Sequence, residues 1–204
     1  MGTSARRCFT RREGLVVLMD FSRTCTVSIA VPPLDVHNLI AEVAEHPSWA
    51  YNNLEIEHLG GPKRGPGAHY RSTVRDAVPG SKKPVTGDIV VLEDVPAERF
   101  VMECTDDGGC YRWTFVLAPT DTGCTVEQTV ERIAAPAYVP WIQPAMWRMF
   151  GHKQVDGGLQ RLKDHAEAHL ARVRQINLAT PTAEIPQPRA ETRTFTPTNG
   201  SSPT

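Results

Sequence analysis

The sequence has no long hydrophobic run and almost no net charge. Its longest apolar run near the N-terminus, residues 15–19, is too short for a signal peptide or a membrane span. The 22 Lys and Arg residues nearly cancel the 23 Asp and Glu residues, leaving a net charge of -1. A nucleic-acid-binding protein would show a basic stripe. We therefore expect a cytoplasmic protein with neither stable membrane insertion nor a nucleic-acid partner.

Several chemical motifs are also missing. The five cysteines form no CxxC pair and are odd in number, which favours reduced thiols. No GxSxG nucleophile motif occurs. His165 and His169 have metal-site spacing but lack the acid of HExxH, so we expect no metal and no cofactor. The glycine-rich residues 60–67 lack the GK[ST] ending and precede a strand, so we interpret them as a mobile loop at the rim of a pocket.

Composition divides the chain into three parts. Residues 1–22 are weakly patterned and predict a flexible arm, in which Met19 is an alternative translation start to Met1. Residues 23–175 carry the apolar patterning of one domain. Residues 176–204 are rich in Thr and Pro and nearly free of large apolar groups, which predicts a disordered tail.

One long helix is predicted over residues 145–175. No proline interrupts this segment, and its apolar residues recur at three- and four-residue steps, which places them on one face of a helix. Such a helix is about 45 Å long at 1.5 Å per residue, so it needs a large apolar partner surface. The stripe consists of Val155, Leu159, Leu162, Ala166, Leu170 and Val173.

The region before this helix reads mostly as β-strands. A short helix from Pro33, and a second one beginning near His46, follow the first strand. The inward phase of the strand over residues 85–95 stays open, since both Ile89/Val91 and Val90/Leu92 qualify. This order predicts an α+β fold in which a seven-stranded antiparallel sheet wraps around the long helix. The other single strands are predicted over residues 24–31, 54–59, 68–75 and 123–133.

The two remaining strands form a hairpin whose register the sequence predicts. Placing Asp107 and Gly108 in a two-residue turn pairs Phe100 with Phe115 and Met102 with Trp113. It also places Glu103 opposite Arg112 on the outer face. A four-residue loop before the last strand would place Gln128 opposite Trp113.

Several short segments follow one another in a characteristic order and spacing. They are residues 27–32 with Val36, residues 46–49, Gly67, and residues 91–96, 113–115, 123–126 and 158–163. Together they resemble the START/SRPBCC helix-grip superfamily, in particular its polyketide cyclase/dehydrase and lipid-transport branch. The resemblance covers about residues 24–172 and implies a helix-grip fold, with an apolar cavity between the sheet and the C-terminal helix. It implies a hydrophobic small molecule, such as a lipid or a polyketide, as the ligand, and it leaves the oligomeric state open.

The predicted pocket is mostly apolar with a few polar groups, as small-molecule sites usually are. The alternative is that these side chains simply fill the core. Tyr70, Gln128 and His152 are the candidates for catalysis, because they carry polar groups that need partners when buried. The predicted ligand-binding residues are Trp49, Tyr70, Ser72, Met102, Tyr111, Trp113, Phe115, Gln128, Val130, Met149 and His152.

Three functions fit these features. The first is binding or carriage of a hydrophobic small molecule, which requires only the cavity. The second is an enzyme of the polyketide cyclase or aromatase type, which requires a polar group placed to move a proton. The third is a non-catalytic regulatory or interaction protein.

Overall fold

The computed structural model describes residues 21–50, 53–75, 83–136, 139 and 152–179. Residues 1–20 of the predicted arm and residues 180–204 of the predicted tail lie outside this part of the chain, as does Met149. Within it, the predicted α+β architecture is confirmed. A seven-stranded antiparallel sheet and a long C-terminal helix dominate the fold.

The strands after the first form an uninterrupted meander, and the first strand returns to pair with the last. The spatial order is β1-β7-β6-β5-β4-β3-β2, and every neighbouring pair is antiparallel. The strands are β1 Ser22–Ile29, β2 Asn53–Gly60, β3 His69–Arg75, β4 Val85–Val95, β5 Arg99–Asp106, β6 Gly109–Thr120 and β7 Gly123–Ala134.

The predicted β5–β6 register is confirmed. Phe100 pairs with Phe115, Met102 pairs with Trp113, and Glu103 lies opposite Arg112. The Arg112 guanidinium donates to the Glu103 carboxylate over 2.7 Å on the outer face. Asp106 accepts a hydrogen bond from the Gly108 backbone over 2.7 Å, which stabilises the turn.

The predicted β6–β7 register is wrong by two residues. Thr120 pairs with Gly123, so the turn contains two residues rather than four. Trp113 therefore pairs with Val130, and Gln128 lies opposite Phe115. A two-residue shift keeps each side chain on its face of the sheet, so the predicted inward phase of β7 is correct.

β4 changes phase along its length. Ile89 and Val91 face inward, paired with Cys104 and Met102. The register then shifts by one residue between Val91 and Glu93, a β-bulge. Beyond the bulge Asp94 pairs with Phe100 and therefore shares its inward face. Of the two open alternatives for the phase of this strand, the Ile89/Val91 phase is the correct one, and Leu92 is 41% exposed.

Two short helices follow β1, as predicted. Helix α1 spans Pro33–Ala41 and has a proline in its first turn, where no backbone N–H is needed. A 3₁₀ helix spans Val43–Ser48. The inner face of α1 packs against β5, β6 and β7 and consists of Val36, His37, Ile40 and Ala41.

Helix α2 spans His152–Ala179 and so extends past the predicted end at residue 175. Leu159, Leu162 and Ala166 of the predicted stripe are buried, whereas Val173 is 39% exposed. Two polar contacts hold the helix in place. Glu167 accepts a hydrogen bond from the Ala30 backbone over 3.0 Å, and Arg161 donates to the Ala50 carbonyl over 3.3 Å.

Candidate ligand-binding site

The inner face of the sheet is largely apolar. Pairing of the strands aligns inward-facing side chains in rows that cross the sheet, because residues opposite each other share a face. One row contains Val130, Trp113, Met102 and Val91, and the next contains Gln128, Phe115, Phe100 and Asp94. These rows bring the predicted residues Met102, Trp113, Phe115, Gln128 and Val130 together.

Gln128 is a buried amide within this apolar surface. Its side chain is only 4% exposed. Its neighbours in the row are Cys25 of β1 and Phe115 of β6, neither of which offers a strong hydrogen-bond partner. A buried amide is normally hydrogen-bonded, so Gln128 is a polar point on an otherwise apolar face of the sheet.

The hydroxyl groups of Tyr70 and Ser72 are already engaged by the protein. Tyr70 is 1% exposed and donates to the Lys63 carbonyl over 2.6 Å. Burial raises the pKa of the Tyr70 hydroxyl above its ordinary value, and the nearby Glu42 carboxylate adds to this rise. Ser72 donates to the Gly87 carbonyl over 3.2 Å. Both side chains therefore hold backbone segments in place. Tyr111, a third predicted residue, lies further along the inner face and is half-buried.

Trp49 follows the 3₁₀ helix and is 7% exposed. Its ring packs against the His46 imidazole, with centroids 4.6 Å apart. The Trp49 indole N–H is buried and has no hydrogen-bond partner among the described residues. His46 is buried too and contacts the Ile40 carbonyl over 2.7 Å, and burial lowers its pKa to about 4. This imidazole is therefore neutral at physiological pH.

The described residues leave open space beside Gly158 of α2. This glycine is buried, yet no heavy atom of the described residues lies within 4 Å of the position that a Cβ would occupy. A glycine makes a helix less stable than an alanine would. At this position the glycine leaves space, and it does not serve to let a described strand approach closely. His152 is the first residue of α2, and its side chain lies outside the described part of the structure.

A charged cluster that sequence analysis missed lies beside the inner face. His37 of α1 is fully buried, and its Nε2 lies 2.6 Å from Oδ1 of Asp94. Arg64 approaches the other carboxylate oxygen over 3.6 Å and donates to the Asn38 side chain over 2.9 Å. The spacing of Val36, His37, Ile40 and Ala41 already indicated that His37 is on the buried face of α1. The inward position of Asp94 depends on the bulge in β4.

The glycine-rich loop after β2, predicted to be mobile, is anchored by several contacts. Its Lys63 carbonyl accepts from Tyr70, and Arg64 bridges to Asp94 and Asn38. The Gly67 backbone donates to Val91 over 2.8 Å. Gly61, Gly65 and Gly67 all have positive φ angles, between 75° and 87°, which only glycine adopts readily.

A cavity of about 220 Å³ lies between α1 and the C-terminal half of α2. This is a different place from the predicted cavity between the sheet and α2, which stays a prediction. The lining residues include Asp35, Asn38 and Leu39 of α1, and His169, Leu170 and Val173 of α2.

In the described part of the chain, no group of three or more His, Cys, Asp or Glu side chains has metal-site geometry. The four described cysteines are not joined in disulfides, and burial raises the pKa values of Cys104 and Cys124. No helix in the described ranges is both long and apolar enough to cross a membrane.

Comparison with protein families gives one match that spans most of the chain. The family is described as polyketide cyclase/dehydrase and lipid transport, and its model matches residues 21–167. No curated protein sequence matches the chain.

Solved structures with the same fold have low sequence identity. Protein CV1439 from Chromobacterium violaceum is 20% identical with a TM-score of 0.54, covering 72% of this chain and 98% of its own. Ara h 8.0201 is 13% identical with a TM-score of 0.56, covering 74% and 99%. The di-domain ARO/CYC StfQ, from the steffimycin biosynthetic pathway, is 16% identical with a TM-score of 0.56, covering 77% of this chain and 52% of StfQ. These likenesses show the fold.

Proposed function

Since the chain belongs to the polyketide cyclase/dehydrase and lipid transport family, we propose that it binds or carries a hydrophobic small molecule between the sheet and α2. The observation that carries this proposal is the open space beside the buried Gly158. A well-packed interior leaves few such spaces, because each forfeits contacts on one side.

The apolar inner face supplies the binding surface. Val91, Met102, Phe115 and Val130 face inward and are each at most 6% exposed, so the inner face is made of hydrocarbon and aromatic groups shielded from water. Burial of apolar ligand surface against them yields roughly 25 cal/mol per Å². A mostly apolar ligand, such as a lipid or a polyketide, would gain more binding free energy from this surface than a polar ligand would.

Buried polar groups would orient the ligand. The Trp49 indole N–H has no partner among the described residues, and the Gln128 amide lies in apolar surroundings. An unsatisfied buried donor costs on the order of 1–3 kcal/mol, so a ligand oxygen placed there would be favoured. The expected ligand is therefore mainly apolar with a small number of oxygen atoms.

An enzyme of the polyketide cyclase or aromatase type is the second candidate. Such chemistry needs a group that transfers a proton. The Tyr70 hydroxyl already donates to Lys63, and the Gln128 amide is neither an acid nor a base near neutral pH. The observation that favours this candidate is the buried contact of His37 with the Asp94 carboxylate. His152 remains a proposed participant.

The first test is native mass spectrometry of the protein purified from its own host, followed by denaturing extraction. A hydrophobic molecule bound at near-stoichiometric level is the expected result, and its structure would identify the ligand class. A protein that is empty and takes up no apolar fluorescent probe would contradict the proposal and favour a regulatory role.

The second test places a larger side chain at Gly158. Gly158→Leu should weaken binding of the probe 1-anilinonaphthalene-8-sulfonate by about tenfold, because the leucine side chain would occupy the space that the probe needs and forcing both into it costs on the order of 1–3 kcal/mol. Ala168→Leu adds leucine on the exposed side of the same helix and is the matched control. Equal affinities of the two variants would show that the probe binds elsewhere.

A further inference from the structure

His37 has one nitrogen engaged and one free. Its ring is 0% exposed, and Nε2 lies 2.6 Å from the Asp94 carboxylate. A carboxylate only accepts hydrogen bonds, so the ring proton is on Nε2. The other nitrogen, Nδ1, is buried and has no hydrogen-bond partner among the described residues.

The carboxylate that contacts Nε2 is shared with a second partner. The Arg64 Nε atom lies 3.6 Å from the other Asp94 oxygen. In the neutral ring, with its proton on Nε2, the Nδ1 atom is an acceptor. A buried acceptor without a donor is unfavourable, so a ligand donor placed beside it is favoured.

The position of His37 places this acceptor beside the aromatic surface of the sheet. The Phe100 ring meets the imidazole edge-on, with centroids 6.4 Å apart. Phe100 pairs with Phe115 on the next strand, and Phe115 pairs with Gln128 on the strand after that. An aromatic surface therefore has a hydrogen-bond acceptor at one end and an amide at the other.

We infer that Nδ1 of His37 accepts a hydrogen bond from a ligand hydroxyl, with Asp94 holding the ring in the required tautomer and orientation. The site would thus select ring-containing apolar molecules that carry a phenolic or enolic hydroxyl over those that lack one. This inference rests on the proposed binding of a hydrophobic molecule and specifies which chemical group the protein recognises.

Three small probes test it, namely 2-naphthol, 2-methoxynaphthalene and naphthalene, titrated against the full chain. We expect 2-naphthol to bind about tenfold more tightly than the other two, the usual effect of one buried hydrogen bond. His37→Phe should abolish this preference. His69→Phe makes the same replacement on the outer face of the sheet and should preserve it.

A spectroscopic measurement on the unmodified protein covers the case in which His37→Phe does not fold. The ¹⁵N resonance of His37 Nδ1 should move upfield when 2-naphthol binds and should not move with 2-methoxynaphthalene. Equal affinities for the three probes, or an unchanged resonance, would overturn the inference while leaving the proposed function intact. Failure of all three probes to bind would instead contradict the proposed function and the inference with it.

Discussion

Replacing Gly158 with alanine tests whether the space beside α2 is real. In a helix interior, glycine is less favourable than alanine by about 1 kcal/mol, because its backbone loses more conformational freedom on folding. Apart from the local backbone of its own helix, the added methyl group meets no heavy atom of the described residues within 4 Å, so we expect no steric cost. Gly158→Ala should therefore raise the free energy of unfolding by about 1 kcal/mol.

The assay is urea unfolding with a parallel thermal scan. A gain of about 1 kcal/mol corresponds to a rise of about 3 °C in Tm for a chain of this size. The matched control is Gly123→Ala at the start of β7. There the new methyl group would collide with the Ile29 carbonyl and lie 2.7 Å from the Val31 backbone nitrogen. This variant should lose roughly 1–3 kcal/mol, the usual cost of overpacking.

The two variants should thus change stability in opposite directions. If Gly158→Ala destabilised the protein as Gly123→Ala does, the space beside α2 would be filled. The argument for a ligand between the sheet and α2 would then lose its main support.

Two further predictions concern buried polar groups. Gln128→Leu should leave the urea midpoint unchanged or raised and should lower the affinity for oxygen-containing ligands relative to hydrocarbons; loss of folding would show that Gln128 is structural. For His46, burial lowers the folded-state pKa to about 4 from the ordinary value of 6.5, so between these pH values the unfolded chain binds a proton that the folded chain does not. Stability should therefore fall as pH falls from 6.5 toward 4, by about 2 kcal/mol between pH 7 and pH 5. Urea unfolding at several pH values measures this, with His46→Gln as the control. A free energy of unfolding that does not change with pH, or one that falls equally steeply in His46→Gln, would refute the prediction.

Local patterning determined much of the fold. Residue alternation gave the inward phase of most strands because side chains point to opposite faces with a period of two. The Asp107-Gly108 turn and the Glu103–Arg112 pair together predicted the β5–β6 register, since a turn and a cross-strand pair both act over short distances. The buried stripe of α2 followed from helical periodicity in the same way.

The features that tertiary structure decided depend on residues far apart in the sequence. The bulge in β4 reversed the phase of Asp94, and only the docking of α1 then brought His37 within 2.6 Å of it. The Tyr70 hydroxyl, a catalytic candidate in the sequence, is engaged by a loop carbonyl whose position depends on Arg64 and Asp94. The sequence by itself therefore determined an antiparallel sheet with an apolar inner face and a long amphipathic helix. Which polar atoms are satisfied and which remain for a ligand depends on packing between elements, because hydrogen bonds form only where three-dimensional approach brings donor and acceptor together.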